Sequence, residues 1–185
     1  RQGDRGDVVR GMVPAKPREK RPHWSQRAAR REALKVAITT DGSRGDHIPY
    51  LALAKGFVRH GHQVKFAGAP VSSYAAMVQA AGIDYTPLGE PPPADLYRHL
   101  FLRLEGARTH SEENRELVES LVAPLLEGMF HSVLPLVQWA DVVVSHHAEA
   151  AGRMAADVTA TPWCSSMFVP QEFPTWTAPP PGWIN

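Results

Sequence analysis

Residues 35–69 read KVAITTDGSRGDHIPYLALAKGFVRHGHQVKFAGA, and the changes of pattern within that stretch decide the fold class. Val36, Ala37, Ile38 and Thr39 form a short, apolar, β-branched run of the kind that a strand buried on both faces needs. The turn Asp41-Gly42-Ser43-Arg44-Gly45-Asp46-His47 follows at once, and Pro49, with its fixed φ, suits the first turn of a helix. Leu51, Ala54, Phe57 and Val58 then recur at helical spacing, and Gly61 stands where a left-handed glycine ends a helix. Gln63 to Ala67 returns to a strand pattern.

Working outward, Val71 to Ala81 reads as a second helix closed by Gly82, and Ile83 to Leu88 as a third strand. Strands that alternate with amphipathic helices predict a Rossmann-like α/β fold, a parallel sheet with helices on both faces and right-handed crossovers. Pro91-Pro92-Pro93 opens what reads as an irregular insertion. A helical region is expected from about Ser111 to Gln138, broken or kinked at Pro124 and Pro135. Asp141 to Ser145 gives a fourth strand, Ala148 to Ala156 a helix, and Pro162 to Phe168 a fifth strand.

The 185 residues suit one domain plus a tail rather than two full domains. Residues 1–35 hold eleven Lys or Arg against four Asp or Glu, and residues 36–185 hold nine against fifteen, so a net charge of +1 hides a basic head and an acidic body. The division expected is a disordered basic tail or linker over 1–34, a domain over 35–178, and the start of a proline-rich loop of a truncated chain over 179–185. The tail has too few large apolar residues to offset chain entropy, although Ser25 to Leu34 suits a basic helical turn. Its charge raises nucleic-acid attraction as a rival reading, with a solvated linker as the plainer one. The Arg-Gly-Asp triplets at 5–7 and 44–46 are matches of three residues only. Uninterrupted apolar runs fall well short of a membrane span, which argues against a spanning helix. The single cysteine, Cys164, excludes an internal disulfide and a Cys-based zinc site.

In an open α/β sheet, ligands gather at the carboxyl ends of the strands, which directs attention to loops 40–48, 68–71, 88–110, 145–149 and 166–178. In the first of these, Gly42 and Gly45 allow a sharp turn, and Asp46 precedes the apolar positions of the helix. Spacing alone leaves Asp46 as an N-cap residue or as a catalytic carboxylate. A dinucleotide-binding loop does not fit, because the glycines are spaced G-x-x-G and the second strand ends Phe66-Ala67-Gly68-Ala69 without an acidic residue for a ribose.

Thr40 to Gly56, TDGSRGDHIPYLALAKG, with Gly61 to Ala69, resembles the amino-terminal signature of GT-B glycosyltransferases that use nucleotide sugars. The likeness is to the branch of sterol glucosyltransferases and enzymes that glycosylate antibiotic aglycones. Gly82-Ile83, Pro87-Leu88-Gly89, Ala140 to Val144 and Thr161-Pro162-Trp163 follow in the same order, so the resemblance spans about residues 35–178. It implies the acceptor-binding half of an inverting transferase whose hexose comes from a nucleotide sugar, UDP-glucose by expectation, without metal or other cofactor. The implied acceptor is a small, apolar, hydroxylated molecule such as a sterol, lipid or polyketide. Asp46 matches the aspartate proposed as base in the G-S-R-G-D loop, and Gly42, Ser43, Arg44, Gly45 and His47 complete that loop.

His47 is the neighbouring rival for the base. A related branch uses histidine as base, oriented by an aspartate after the fourth strand, where this chain has Ser145-His146-His147. Paired histidines at a strand's end suggest a metal, but no third ligand accompanies His146 and His147, and they read as loop histidines facing solvent, of which at most one lines the acceptor pocket. Phe168, Phe173 and Trp176 resemble an aromatic acceptor-side segment, with packing against another domain as the alternative. Glu105, Glu112, Glu113, Glu116 and Glu119 suit a solvated helix face.

The family's donor motif, H-x-G-x-G-T leading to a D-Q pair, does not occur before Asn185. The expected partner is therefore a carboxyl-terminal donor-binding domain, without which the segment would be inactive. A non-catalytic binding module or a split subunit is the alternative. No nucleic-acid partner is expected, and the expected location is cytoplasmic, with peripheral membrane contact compatible with an apolar acceptor.

Overall fold

Along the first strand, Val36 and Ile38 point to one side of the sheet and Ala37 to the other, so both faces must be covered by apolar helices. The computed structural model describes residues 32–168. Its first half comprises β1 (Lys35–Thr39), α1 (Arg44–Arg59), β2 (Gln63–Gly68), α2 (Ser72–Gln79) and β3 (Asp84–Pro87). There follow α3 (Ala94–Gly106), α4 (His110–Leu117), a π turn (Val118–Val122), α5 (Ala123–Trp139), β4 (Val142–His146), α6 (Ala150–Thr159) and β5 (Trp163–Ser166). All strand pairs are parallel in the order β3-β2-β1-β4-β5. The expected Rossmann-like α/β sheet is thus present.

Val36, Ile38 and Phe66 pack with Tyr50, Leu51 and Ala54 of α1 and Val78 of α2. On the opposite face, Ala37, Ala67 and Val143 meet Met129, Val133, Leu136 and Val137 of α5 and the small residues Ala151, Ala155 and Ala156 of α6. These two apolar layers remove the sheet from water, and short side chains on α6 let it lie close to α5. Because β4 returns to the far side of β1, the strand order reverses between them, and their carboxyl ends open a crevice there.

Several boundaries differ from expectation. Helix α1 begins at Arg44 rather than near Pro49, because Ser43 caps it, and Pro49 lies in its second turn. The segment after the proline run is helical, as α3, rather than irregular. Pro124 does not break the long helix; it sits in the first turn of α5, directly after the π turn, whose wider bonding pattern precedes a residue with no N–H to give. Pro135 is also carried inside α5. His146 is the last residue of β4, not a loop residue, and is buried.

One helical run among the described residues, Ser111–Trp139, is long and apolar enough to cross a membrane by length and composition. That corrects the exclusion based on uninterrupted apolar runs, since mean hydropathy tolerates scattered polar residues. In this fold the carboxyl half of the run buries Met129, Val133, Leu136 and Val137. Phe173, Trp176, the triplet at 5–7, most of the basic tail and the stretch 179–185 lie outside the described residues.

Candidate active site

The loop after β1 is built around one carboxylate. Gly42 has φ +99°, and a Cβ there would stand 2.6 Å from Asp46 Oδ2, so only glycine lets the backbone cover that side chain. Asp46 is not the N-cap of α1. Ser43 is, and Asp46 occupies the third helical position of a capping box. The Ser43 N–H and hydroxyl donate to Asp46 Oδ2 at 2.7 and 2.8 Å, while the Gly45 N–H donates to Ser43 Oγ at 3.1 Å. The capping and free-carboxylate roles, which the sequence left open together, are compatible, because the box occupies one carboxylate oxygen and leaves Oδ1 directed elsewhere. Arg44 is exposed on the same turn.

Oδ1 of Asp46 lies 3.6 Å from Nε2 of His146. Partial burial acts to raise the Asp46 carboxyl, but the Ser43 hydroxyl and amide, then His146 and His47, outweigh it and hold the group below its ordinary range. The side chain remains one-third exposed, at 34%. An ionised, hydrogen-bonded and accessible carboxylate at the switch point can accept a proton from a bound hydroxyl.

His47 has a different place from the one expected of it. It is fully buried, its Nε2 accepts the Ala69 N–H at 3.2 Å, and its Nδ1 donates to the Ser43 carbonyl at 2.9 Å. Both ring nitrogens therefore brace α1 against the end of β2, which removes His47 as a rival base and as an acceptor-facing residue. Gly68 permits this contact, because a Cβ there would meet His47 Nε2 at 2.6 Å and the Tyr85 hydroxyl at 2.8 Å.

His146 is held by rings. Tyr50 meets it edge-on at 5.8 Å between centroids, and the half-buried His147 lies at 4.2 Å. The Tyr50 hydroxyl donates to the Ser166 carbonyl at 2.9 Å, fixing α1 to the end of β5. Phe168 is exposed and packs edge-on against Tyr50 at 4.7 Å. The structure thus groups Gly42, Ser43, Gly45, Asp46, His146, His147 and Phe168 around the carboxyl ends of β1, β4 and β5. Among the described residues, no group of three or more His, Cys, Asp or Glu is arranged to hold a metal ion.

Beside the loop lies a cavity of about 530 Å³, bounded by Asp41, Gly42, Tyr74, Leu121, Leu125 and Met129 among others. Its walls come from the turns after β1, β2, β3 and β4 and from the π turn and α5, so the insertion provides much of the apolar lining. The sequence pointed to loop 88–110 and to a helical region over about 111–138, but did not show that Leu121, Leu125 and Met129 of that region would line the cavity. Glu149 was also missed. It is buried, caps α6 through the Gly152 N–H at 3.0 Å, and accepts the Thr39 hydroxyl at 2.6 Å. The position of Glu149 just before Ala150-Ala151-Gly152 was the available signal.

Comparison with known proteins gives the family and the fold. Residues 36–160 match the glycosyltransferase family 28 N-terminal domain. Sterol 3-beta-glucosyltransferase UGT80B1 of Arabidopsis thaliana is 35% identical over 100 residues, covering 51% of this chain and 16% of the relative. A sterol 3-beta-glucosyltransferase of Aspergillus fumigatus is 30% identical over 141 residues, covering 75% of this chain and 9% of the relative. The chain therefore spans less than one-fifth of either relative's length. Among solved structures, the glycosyltransferase SsfS6 of Streptomyces sp. SF2575 matches with a TM-score of 0.57 at 19% identity, over 71% of this chain and 38% of that one. The structural likeness establishes the shared fold.

Proposed function

The chain belongs to the glycosyltransferase family 28 N-terminal domain family, and on that premise we propose that it is the acceptor-binding half of an inverting hexosyltransferase. The co-substrate is a nucleotide sugar, UDP-glucose in this reading, and the acceptor is an apolar alcohol such as a sterol, lipid or polyketide. No metal or other cofactor takes part. A carboxyl-terminal donor-binding domain is the required partner, and this segment alone is inactive. The observation that carries the proposal is the Asp46 carboxylate packed against Gly42, a residue that itself lines the neighbouring apolar cavity.

In this mechanism the acceptor lies along the cavity and presents its hydroxyl to Asp46. Asp46 accepts the proton as the hydroxyl oxygen attacks the anomeric carbon, and the bond from that carbon to the diphosphate breaks on the opposite face. UDP departs with the bonding pair, and the glycoside carries inverted configuration. The apolar walls exclude water that would compete as nucleophile.

The reading includes a cytoplasmic enzyme in peripheral contact with membranes. Exposed Phe101 and Leu102 on α3 and Val118 in the π turn support that contact. The test is turnover of UDP-glucose with a panel of sterols and other apolar alcohols by the complete protein. Asp46→Asn is expected to lower kcat by about 10²- to 10⁴-fold, the usual worth of a general base. Full activity in Asp46→Asn would remove the assignment. Saturable binding of an apolar alcohol without any UDP release would replace transfer with a binding module.

A further inference from the structure

The histidine at the end of β4 has a hydrogen-bonding environment that selects one tautomer. The Ala148 N–H points at Nδ1 of His146 at 3.3 Å, so Nδ1 acts as acceptor and the ring hydrogen is placed on Nε2. That nitrogen faces Oδ1 of Asp46 at 3.6 Å, a polar contact slightly longer than a hydrogen bond. Oδ2 of the same carboxylate is already fixed by Ser43. The two oxygens of Asp46 thus have different neighbours, Oδ2 its own helix cap and Oδ1 the end of a strand a hundred residues away.

We infer that His146 is a positioning residue for glycosyl transfer: its Nε2–H directs the second oxygen of Asp46 toward the acceptor hydroxyl. The inference rests on the reading of Asp46 as base. It reverses the roles that would be expected if imidazole were the base, because the ring's one lone pair, on Nδ1, is taken by the Ala148 N–H and none is left for an acceptor hydroxyl. Oδ1 has more than one lone pair, so it can face His146 and still accept the acceptor's proton. The ring cannot turn freely, since Tyr50 meets it edge-on and His147 lies against it. A carboxylate that keeps its direction before the acceptor arrives needs no reorganisation at the moment of attack.

The groups that face the pair are Ser43, His47 and Tyr50 from α1, His147 on the same turn, and Glu149 and Cys164 through their influence on Tyr50. A pH experiment must therefore separate His146 from these by substitution. Removing His146 deprives the charged form of Asp46 of a favourable neighbour, so the pKa of Asp46 rises, and the acid limb of kcat moves to higher pH.

The test has two arms on the complete protein. In the first, ¹⁵N spectra of histidine-labelled protein, with His146 assigned by comparison with His146→Gln, are expected to show the Nε2–H tautomer at neutral pH. A predominant Nδ1–H tautomer would overturn the inference. In the second, His146→Ala is expected to lower kcat by about 10- to 100-fold, to leave the acceptor KM within about twofold, and to raise the acid limb. His146→Gln, which carries an N–H at nearly the same place as Nε2, is expected to recover most of kcat and the wild-type limb. If His146→Ala leaves kcat and the limb unchanged, or if the glutamine variant folds yet restores neither, the positioning role is wrong. Absence of turnover in the wild-type protein would instead remove the transferase reading. In that case the tautomer and a ¹³C titration of the Asp46 carboxyl, with and without His146, still decide the pairing.

Discussion

The hydroxyl of Thr39, at the end of β1, donates to Oε2 of Glu149 at 2.6 Å, and both side chains are buried. The same carboxylate takes the Gly152 N–H, so one buried acid joins the central strand to the head of α6. Gly152 has to be glycine, because a Cβ would stand 2.5 Å from both Glu149 Oε2 and Thr39 Oγ1. The contact ties the end of β1 to the head of α6.

Glu149→Ala removes the cap and leaves Thr39 and Gly152 with buried donors, and is expected to cost about 2–4 kcal/mol in urea unfolding. Glu149→Gln keeps an acceptor of the same size and should cost far less. Burial raises the Glu149 carboxyl above its ordinary value of 4.5, against the lowering effect of the Thr39 and Gly152 bonds. The folded state therefore holds this proton more tightly than the unfolded state. Its contribution to stability is complete below the unfolded pKa and is lost as pH rises through the folded one. The glutamine variant is expected to lack that decline with rising pH, which paired unfolding curves from about pH 4 upward would measure.

Gly68 and Gly56 form a matched pair. Gly68→Ala would drive a methyl into His47 and Tyr85, and is expected to destabilise by about 1–3 kcal/mol. Gly56 lies inside α1 with nothing within 4 Å of an added Cβ, so Gly56→Ala is expected to stabilise by about 0.5–1 kcal/mol. Thermal denaturation of both variants should give shifts of opposite sign; equal shifts would show that His47 does not brace the end of β2.

Ser43→Ala removes both the cap of α1 and a hydrogen bond that favours the charged form of Asp46. It is expected to cost about 1 kcal/mol of stability. The folded-state pKa of Asp46 is depressed, so its contribution to stability is present above the unfolded pKa and is lost as pH falls through the folded one. In Ser43→Ala that loss should be smaller and complete at a higher pH, and the acid limb of kcat in the complete protein should move to higher pH. Acid-induced unfolding followed by circular dichroism, beside a pH-rate profile, checks both.

Leu121 lines the cavity from the π turn and is only partly buried. Leu121→Ala removes apolar contact with the acceptor, and at roughly 1–2 kcal/mol of lost burial the acceptor KM should rise by about 5- to 30-fold. With the contact equal in ground and transition states, kcat should stay within about twofold. A fall in kcat at unchanged KM would place the acceptor elsewhere.

The sequence by itself determined the β1-α1-β2-α2-β3 succession, since each element there is written in short-range signals: the run Val36 to Thr39, the helical spacing of Leu51 and Ala54, and the left-handed closures at Gly61 and Gly82. It also singled out Asp46, because a glycine turn before a helix is a local arrangement. It misread the start of α1 by placing the first turn at Pro49, when the Ser43 cap with Asp46 three residues on was already a start signal. It could not show that His47 would brace the end of β2 while His146 would face Asp46, since which histidine reaches which neighbour depends on the order of the strands in the sheet. Only the tertiary structure decided this. By returning β4 to the far side of β1, it brought residues 46 and 146 together, and by folding α5 beneath the crevice it gave Leu125 and Met129 to the cavity wall. Local sequence governs which backbone conformations are cheap, but contacts between distant segments follow from how the two apolar faces of one sheet are covered, a choice the chain makes as a whole.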